Sequence, residues 1–98
     1  MRYSFHPDAR HDLHDAQDYY KTKSDAVALA FTNQISWAIE QIILAPHRWK
    51  QYEHGTQRFL LSRFPYAIVY RIKDKEVQIV AVAHHKRMPG YWAPRIVG

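Results

Sequence analysis

Gln57–Trp92, QRFLLSRFPYAIVYRIKDKEVQIVAVAHHKRMPGYW, decides the fold. Arg58-Phe59-Leu60-Leu61 is an apolar run stopped by Phe64-Pro65. Tyr66 to Ile72 is a second, rich in the aromatic and β-branched residues that suit a pleated surface. Lys73-Asp74-Lys75-Glu76 is a polar break of hairpin length. Val77 to Ala83 is a third run in which only Gln78 is polar, so both faces of that strand are expected to be covered. It leads directly into His84-His85-Lys86-Arg87, with Tyr91 and Trp92 just beyond. Three consecutive strands thus deliver a basic, aromatic segment to the edge of a sheet.

Upstream the period changes. Arg2-Tyr3-Ser4-Phe5 alternates as a short strand, and His6-Pro7-Asp8 starts a helix, with proline at its first position and an acid in its first turn. Ala9, Leu13, Ala16 and Tyr20 form a narrow stripe along that helix, which ends in Lys21-Thr22-Lys23. Ser24 is placed to cap a second helix carrying Val27, Phe31, Ile35, Ala38, Ile39 and Ile42 at helical spacing and closed by Pro46. Two helices joined by so tight a loop pack as an antiparallel hairpin. Residues 46–56 read as a polar, aromatic connection turning at Gly55. The expected class is α+β: one domain over residues 1–98, ordered βααβββ, with the helical hairpin on one face of a mainly antiparallel sheet.

The totals fit one small domain with its own core: 98 residues, 47% apolar and 14% aromatic. There is no cysteine, hence no disulfide and no thiolate chemistry. The opening MRYSFHPDAR has no signal-peptide core and no apolar run has membrane-spanning length, so a cytoplasmic protein without a membrane partner is expected. The formal charge is +5, and it is unevenly placed. Residues 1–55 carry six Lys and Arg against seven Asp and Glu; residues 56–98 carry eight against two, Asp74 and Glu76. An acidic partner, nucleic acid or protein, is expected on the sheet half.

Several residue groups in that half could carry chemistry. His84 or His85 could move a proton near neutral pH, with Lys86 and Arg87 beside them to hold an anion. Cleavage of a phosphodiester by a ribose hydroxyl needs a base, an acid and a cationic clamp; His85, Tyr91 and Arg58 supply those types. Adjacent strand residues face opposite ways, so one histidine at most serves a given site. Arg58, Arg63 and Arg71, read as lying on neighbouring strands, suit carboxylate or phosphate recognition, or simply keep an exposed face soluble. Asp8, His11 and His14 share a helix face but lack a fourth metal ligand, and a solvated face is the better reading. Trp49, Tyr52, Tyr91 and Trp92 could stack on a partner, although closing the end of the core is the commoner use of such residues. With only Gly55, Gly90 and Gly98, no phosphate-binding glycine loop exists and no cofactor is implied.

The chain resembles the RelE/ParE superfamily of type II toxin–antitoxin toxins. Phe5-His6-Pro7-Asp8-Ala9, Pro46 after the second helix, Gln57–Leu60, Phe64–Ile72 and Val80–Trp92 carry the likeness across essentially the whole chain. The superfamily holds two mechanisms on one fold: ribosome-dependent mRNA endoribonucleases and non-nuclease poisons of DNA gyrase. In the resemblance, Arg58 stands where the nuclease branch has a catalytic lysine and Tyr91 where it has its tyrosine. Leu60 replaces a second lysine, Ala67 an arginine and His85 another arginine. Those losses favour the ParE-like branch, because phosphoryl transfer depends mainly on charge stabilisation.

The resemblance therefore implies a plasmid-stabilising, growth-inhibiting gyrase inhibitor. Its cognate antitoxin is expected to carry an acidic amphipathic tail. Contacts with antitoxin or target are expected at Arg58, Arg63, Arg71, His84, His85, Lys86, Arg87, Tyr91 and Trp92. The alternatives are an mRNA-cleaving toxin working on the ribosome through His85, Tyr91 and Arg58, and a non-toxic basic domain that only binds its partner.

Overall fold

The computed structural model describes residues 1–96. The chain runs β1 (Arg2–Phe5), α1 (Pro7–Lys21), α2 (Asp25–Leu44), β2 (Lys50–Gln51), β3 (Gln57–Leu60), β4 (Tyr66–Lys73) and β5 (Glu76–His84). One sheet of order β1-β5-β4-β3-β2 results, with β1 parallel to β5 and the other pairs antiparallel. The expected α+β hairpin-on-sheet architecture holds.

The local signals act as their chemistry requires. The His6 imidazole accepts from the Asp8 amide at 3.0 Å to cap α1, and the Ser24 hydroxyl accepts from the Val27 amide at 3.0 Å to cap α2. The β4–β5 connection is tighter than the four-residue break suggested. Only Asp74 and Lys75 turn the chain, both at positive φ (54° and 60°), the geometry a two-residue hairpin needs to match strand twist.

The connection at 46–56 differs from expectation, because Lys50–Gln51 pairs with Gln57–Arg58 as a fifth, edge strand. Polar side chains hold it there. The Gln57 amide donates to the Pro46 and Trp49 carbonyls at 2.9 Å each, and the Tyr70 hydroxyl donates to Pro46 at 2.6 Å. Trp49 packs on Phe59 with ring centres 4.6 Å apart.

Two cores lie on opposite faces of the sheet. On the helix side, Phe31, Ile35, Ile39 and Ile42 of α2 meet Ile68, Tyr70, Val77 and Ile79. That burial accounts for one stripe of α2; Leu29, Trp37 and Leu44 are apolar and exposed on the rest of the helix. On the other side, Val69, Val80 and Ala81 are covered by Trp92, with Tyr52, Tyr91 and Ile96 around it. The expectation that β5 is covered on both faces is met, the second cover being the segment that follows the strand. Val80 is the extra residue of a bulge, since Val69 pairs with Ala81 and Tyr70 with Ile79.

Candidate functional site: a basic cleft closed by the C-terminal segment

Beyond His84 the chain leaves the sheet and folds back across it, turning at Gly90 (φ 76°), where a left-handed conformation is needed. The fold-back ends in a 3₁₀ turn over Ala93–Ile96. Its anchor is an ion pair between Arg95 and Asp12 of α1, bonded at 2.6 and 3.1 Å through both terminal nitrogens. Arg95 also donates to the Val80 carbonyl at 2.9 Å, and Asp12 accepts from the Val82 amide at 3.1 Å and the Tyr91 hydroxyl at 3.3 Å.

These two β5 backbone groups lie past the end of β1, whose pairing stops at Ile79. The ion pair therefore satisfies an edge that has run out of strand. Both side chains are largely buried, at 13% and 12% exposure. Burial works against the charge on Arg95, but the Asp12 hydrogen bond and charge outweigh it and the net shift is upward.

Neither residue stood out in the sequence. Asp12 carried a signal nonetheless: at three residues past Ala9 and four before Ala16 it sits on the buried stripe of α1, where a carboxylate requires a partner.

Between the fold-back and the sheet lies a cleft of about 150 Å³. Arg58, His85, Arg87 and Tyr91 line it over an apolar floor of Ala67, Val69, Ala83 and Trp92. The Arg58 guanidinium lies 4.4 Å from the centre of the Tyr52 ring, and its buried Nε has no hydrogen-bond partner among the described residues. Arg87 stacks 3.9 Å above Tyr91. Burial first, then the charge of Asp12, pushes the Tyr91 hydroxyl up to about 12, while Arg95 and Arg87 pull the other way.

The cleft gathers some of the expected residues and leaves others aside. Both histidines line the cleft, contrary to the expectation from strand alternation, because β5 ends at His84 and His85 lies beyond it. His84 pairs with Tyr66 and packs edge-on against its ring at 5.0 Å, and its Nδ1 accepts from the Lys86 amide. Burial, with Lys86 and His85 adding to it, lowers its pKa. His85 is exposed, its amide held by the Pro65 carbonyl at 2.9 Å. Lys86 is exposed and does not line the cleft.

The three arginines do not form the expected cluster. Arg63 lies in the β3–β4 loop rather than on a strand, its amide donating to the Gln34 side chain. Arg71 shares the face of Arg58, which sits opposite Val69, but it donates to Gln78 at 2.6 Å and lies outside the cleft. Trp92, 1% exposed, is a core residue that presents only floor to a ligand. Ala67 and Leu60 leave apolar surface where phosphate chemistry would want charge; Leu60 is half exposed. Asp8, His11 and His14 are solvent-exposed, and no group of three His, Cys, Asp or Glu is placed to hold a metal among the described residues.

Residues 3–89 match the family described as ParE toxin of type II toxin-antitoxin system, parDE. The chain belongs to the ParE toxin family. It is a ParE-like toxin of a type II toxin–antitoxin system, and membership implies a cognate antitoxin partner. The fold is similar to that of a solved chain from the chromosomal ParDE TA system of P. aeruginosa. The TM-score is 0.77 at 23% identity, over 86% of this chain and 95% of the other. No curated protein matches the chain.

Proposed function

We propose that this ParE-family chain inhibits DNA gyrase by protein–protein contact in the cytoplasm, stabilises the plasmid or replicon that encodes it, and is held inactive by an antitoxin whose acidic amphipathic tail orders on the basic sheet half. The observation that carries the reading is the engagement of the Tyr91 hydroxyl. It donates to Asp12 at 3.3 Å, with its pKa pushed to about 12, so the group that would serve a nuclease as acid is committed to structure. Apolar Leu60 and Ala67 support the same conclusion, because a cleft lacking those cations cannot stabilise a transferring phosphoryl group well.

Purified protein is expected to inhibit supercoiling or trap the gyrase cleavage complex while mRNA ends on translating ribosomes stay unchanged. Codon-phased cuts with normal gyrase activity would overturn the reading. The second reading, mRNA cleavage, is favoured by His85, Arg58 and Tyr91 lining one cleft. It requires His85→Ala or Tyr91→Phe to abolish cleavage without loss of antitoxin binding. The electrostatic part of antitoxin capture has its own check: affinity should fall as salt rises.

A further inference from the structure

The cleft holds two guanidiniums, His84 and His85, and no acidic side chain lines it among the described residues. Two carboxylates lie nearby: Asp12, beyond Tyr91 and already bound to Arg95, and Glu53, beside Gly90. Arg58 is the most constrained of the cations. One face of its guanidinium is covered by Tyr52, which leaves an edge, and the Nε on that edge is buried without an acceptor. A buried donor left unpaired costs stability that an incoming acceptor would restore. A guanidinium that offers an edge matches a planar, two-oxygen acceptor. The surroundings restrict what can bring that acceptor. The floor is apolar, and apolar Leu60 and Met88 stand exposed nearby, Met88 in the cleft wall and Leu60 opposite Ala67 of the floor. His85 and Met88 are both exposed and able to turn aside as a ligand enters.

We propose that this cleft is a carboxylate subsite, taking a Glu or Asp side chain flanked by apolar residues from the acidic segment of the neutralising antitoxin, with Arg58 as the bidentate donor and Arg87 as the second cation. This rests on the toxin–antitoxin reading and is independent of gyrase as the target. An acid between two apolar residues fills the charged wall and the floor together. A nucleic-acid backbone would instead bring phosphates against Leu60 and Met88.

The test follows arginine Nε–Hε NMR signals of the full chain during titration with the peptide Ac-Leu-Glu-Leu-amide, its Gln counterpart and inorganic phosphate. The Glu peptide should shift the Arg58 signal saturably and the Gln peptide should not. Arg58→Gln and Arg87→Gln should each weaken the Glu peptide by about tenfold or more, the size expected for losing a charge-assisted bond. Arg71→Gln, which lies outside the cleft, should change it by less than about twofold. Arg87 is off the sheet, so its variant decides the matter if Arg58→Gln loses the native backbone spectrum. Equal response to both peptides, saturation by phosphate alone, or an unmoved Arg58 signal would each overturn the proposal. The supercoiling assay is read separately, so failure there leaves this result standing and failure here leaves gyrase untouched.

Discussion

The two faces of the sheet are closed by different means. The helix face is sealed by side chains repeating at regular intervals on α2 and β4, many small contributions spread over a large area. The opposite face is covered by a short irregular segment in which one tryptophan and one ion pair do most of the holding. The first arrangement averages over its parts and tolerates change. The second concentrates its stability in a few groups, and that economy leaves the basic cleft uncovered.

Breaking the ion pair should have the largest effect. Arg95→Met leaves the Asp12 carboxylate buried and unpaired, and is expected to cost about 3–5 kcal/mol. Urea unfolding would measure it. The double variant Asp12→Asn/Arg95→Met should recover much of the loss, and a single-variant loss below about 1 kcal/mol would show that the clasp is not what holds the segment.

Ile68→Ala, on the helix face and fully buried, should cost roughly 2–4 kcal/mol through the cavity it leaves. The arginine Nε signals of the cleft should stay where they are; if they move, the faces are not independent.

Tyr91→Phe is gentler, losing one hydrogen bond worth about 0.5–1.5 kcal/mol. It also bears on alkaline unfolding. Tyr70 and Tyr91 titrate near 12 in the fold against 10 when unfolded, so the stability they confer is intact below pH 10 and declines as pH rises toward 12. Phenylalanine at 91 should reduce that decline. At the acid end the sign reverses. The lowered pKa of His84 means stability is present above pH 6.5 and declines as pH falls through the folded value, an effect His84→Gln should remove.

The smallest effect lies far from both cores. Lys75→Gly relieves a left-handed lysine in the hairpin and should add roughly 0.5–1 kcal/mol without changing the cleft.

The same contrast governs what the sequence revealed. Both helices and four of the five strands were legible because their side chains repeat, and even the doubled burial of Val77–Ala83 could be read from a run in which only Gln78 is polar. The strand at Lys50–Gln51 was not, since two residues carry no period and it exists only because Gln57 and Tyr70 anchor the loop before it. Arg58, His85 and Tyr91 were recognised as residue types, but their meeting in one cleft follows from a fold-back without local signature, while Arg63 is left out by its place in the β3–β4 loop and Arg71 is turned to Gln78. Asp12 and Arg95 show the limit most plainly. In the sequence they are one acid among seven in the first half and one base among eight in the second, and nothing local links them.

That link has a consequence for synthesis. Asp12 and Arg95 are 83 residues apart, and a ribosome adding residues at about 5–20 per second needs on the order of 4 to 17 seconds to cover the interval. Through that time the helical hairpin, whose contacts are local, can already be formed, whereas the wall of the cleft has not been made. A nascent chain stalled or truncated before Arg95 would carry the hairpin and much of the sheet without the clasp that shapes the cleft. The basic cleft takes its shape only after the chain has passed Arg95.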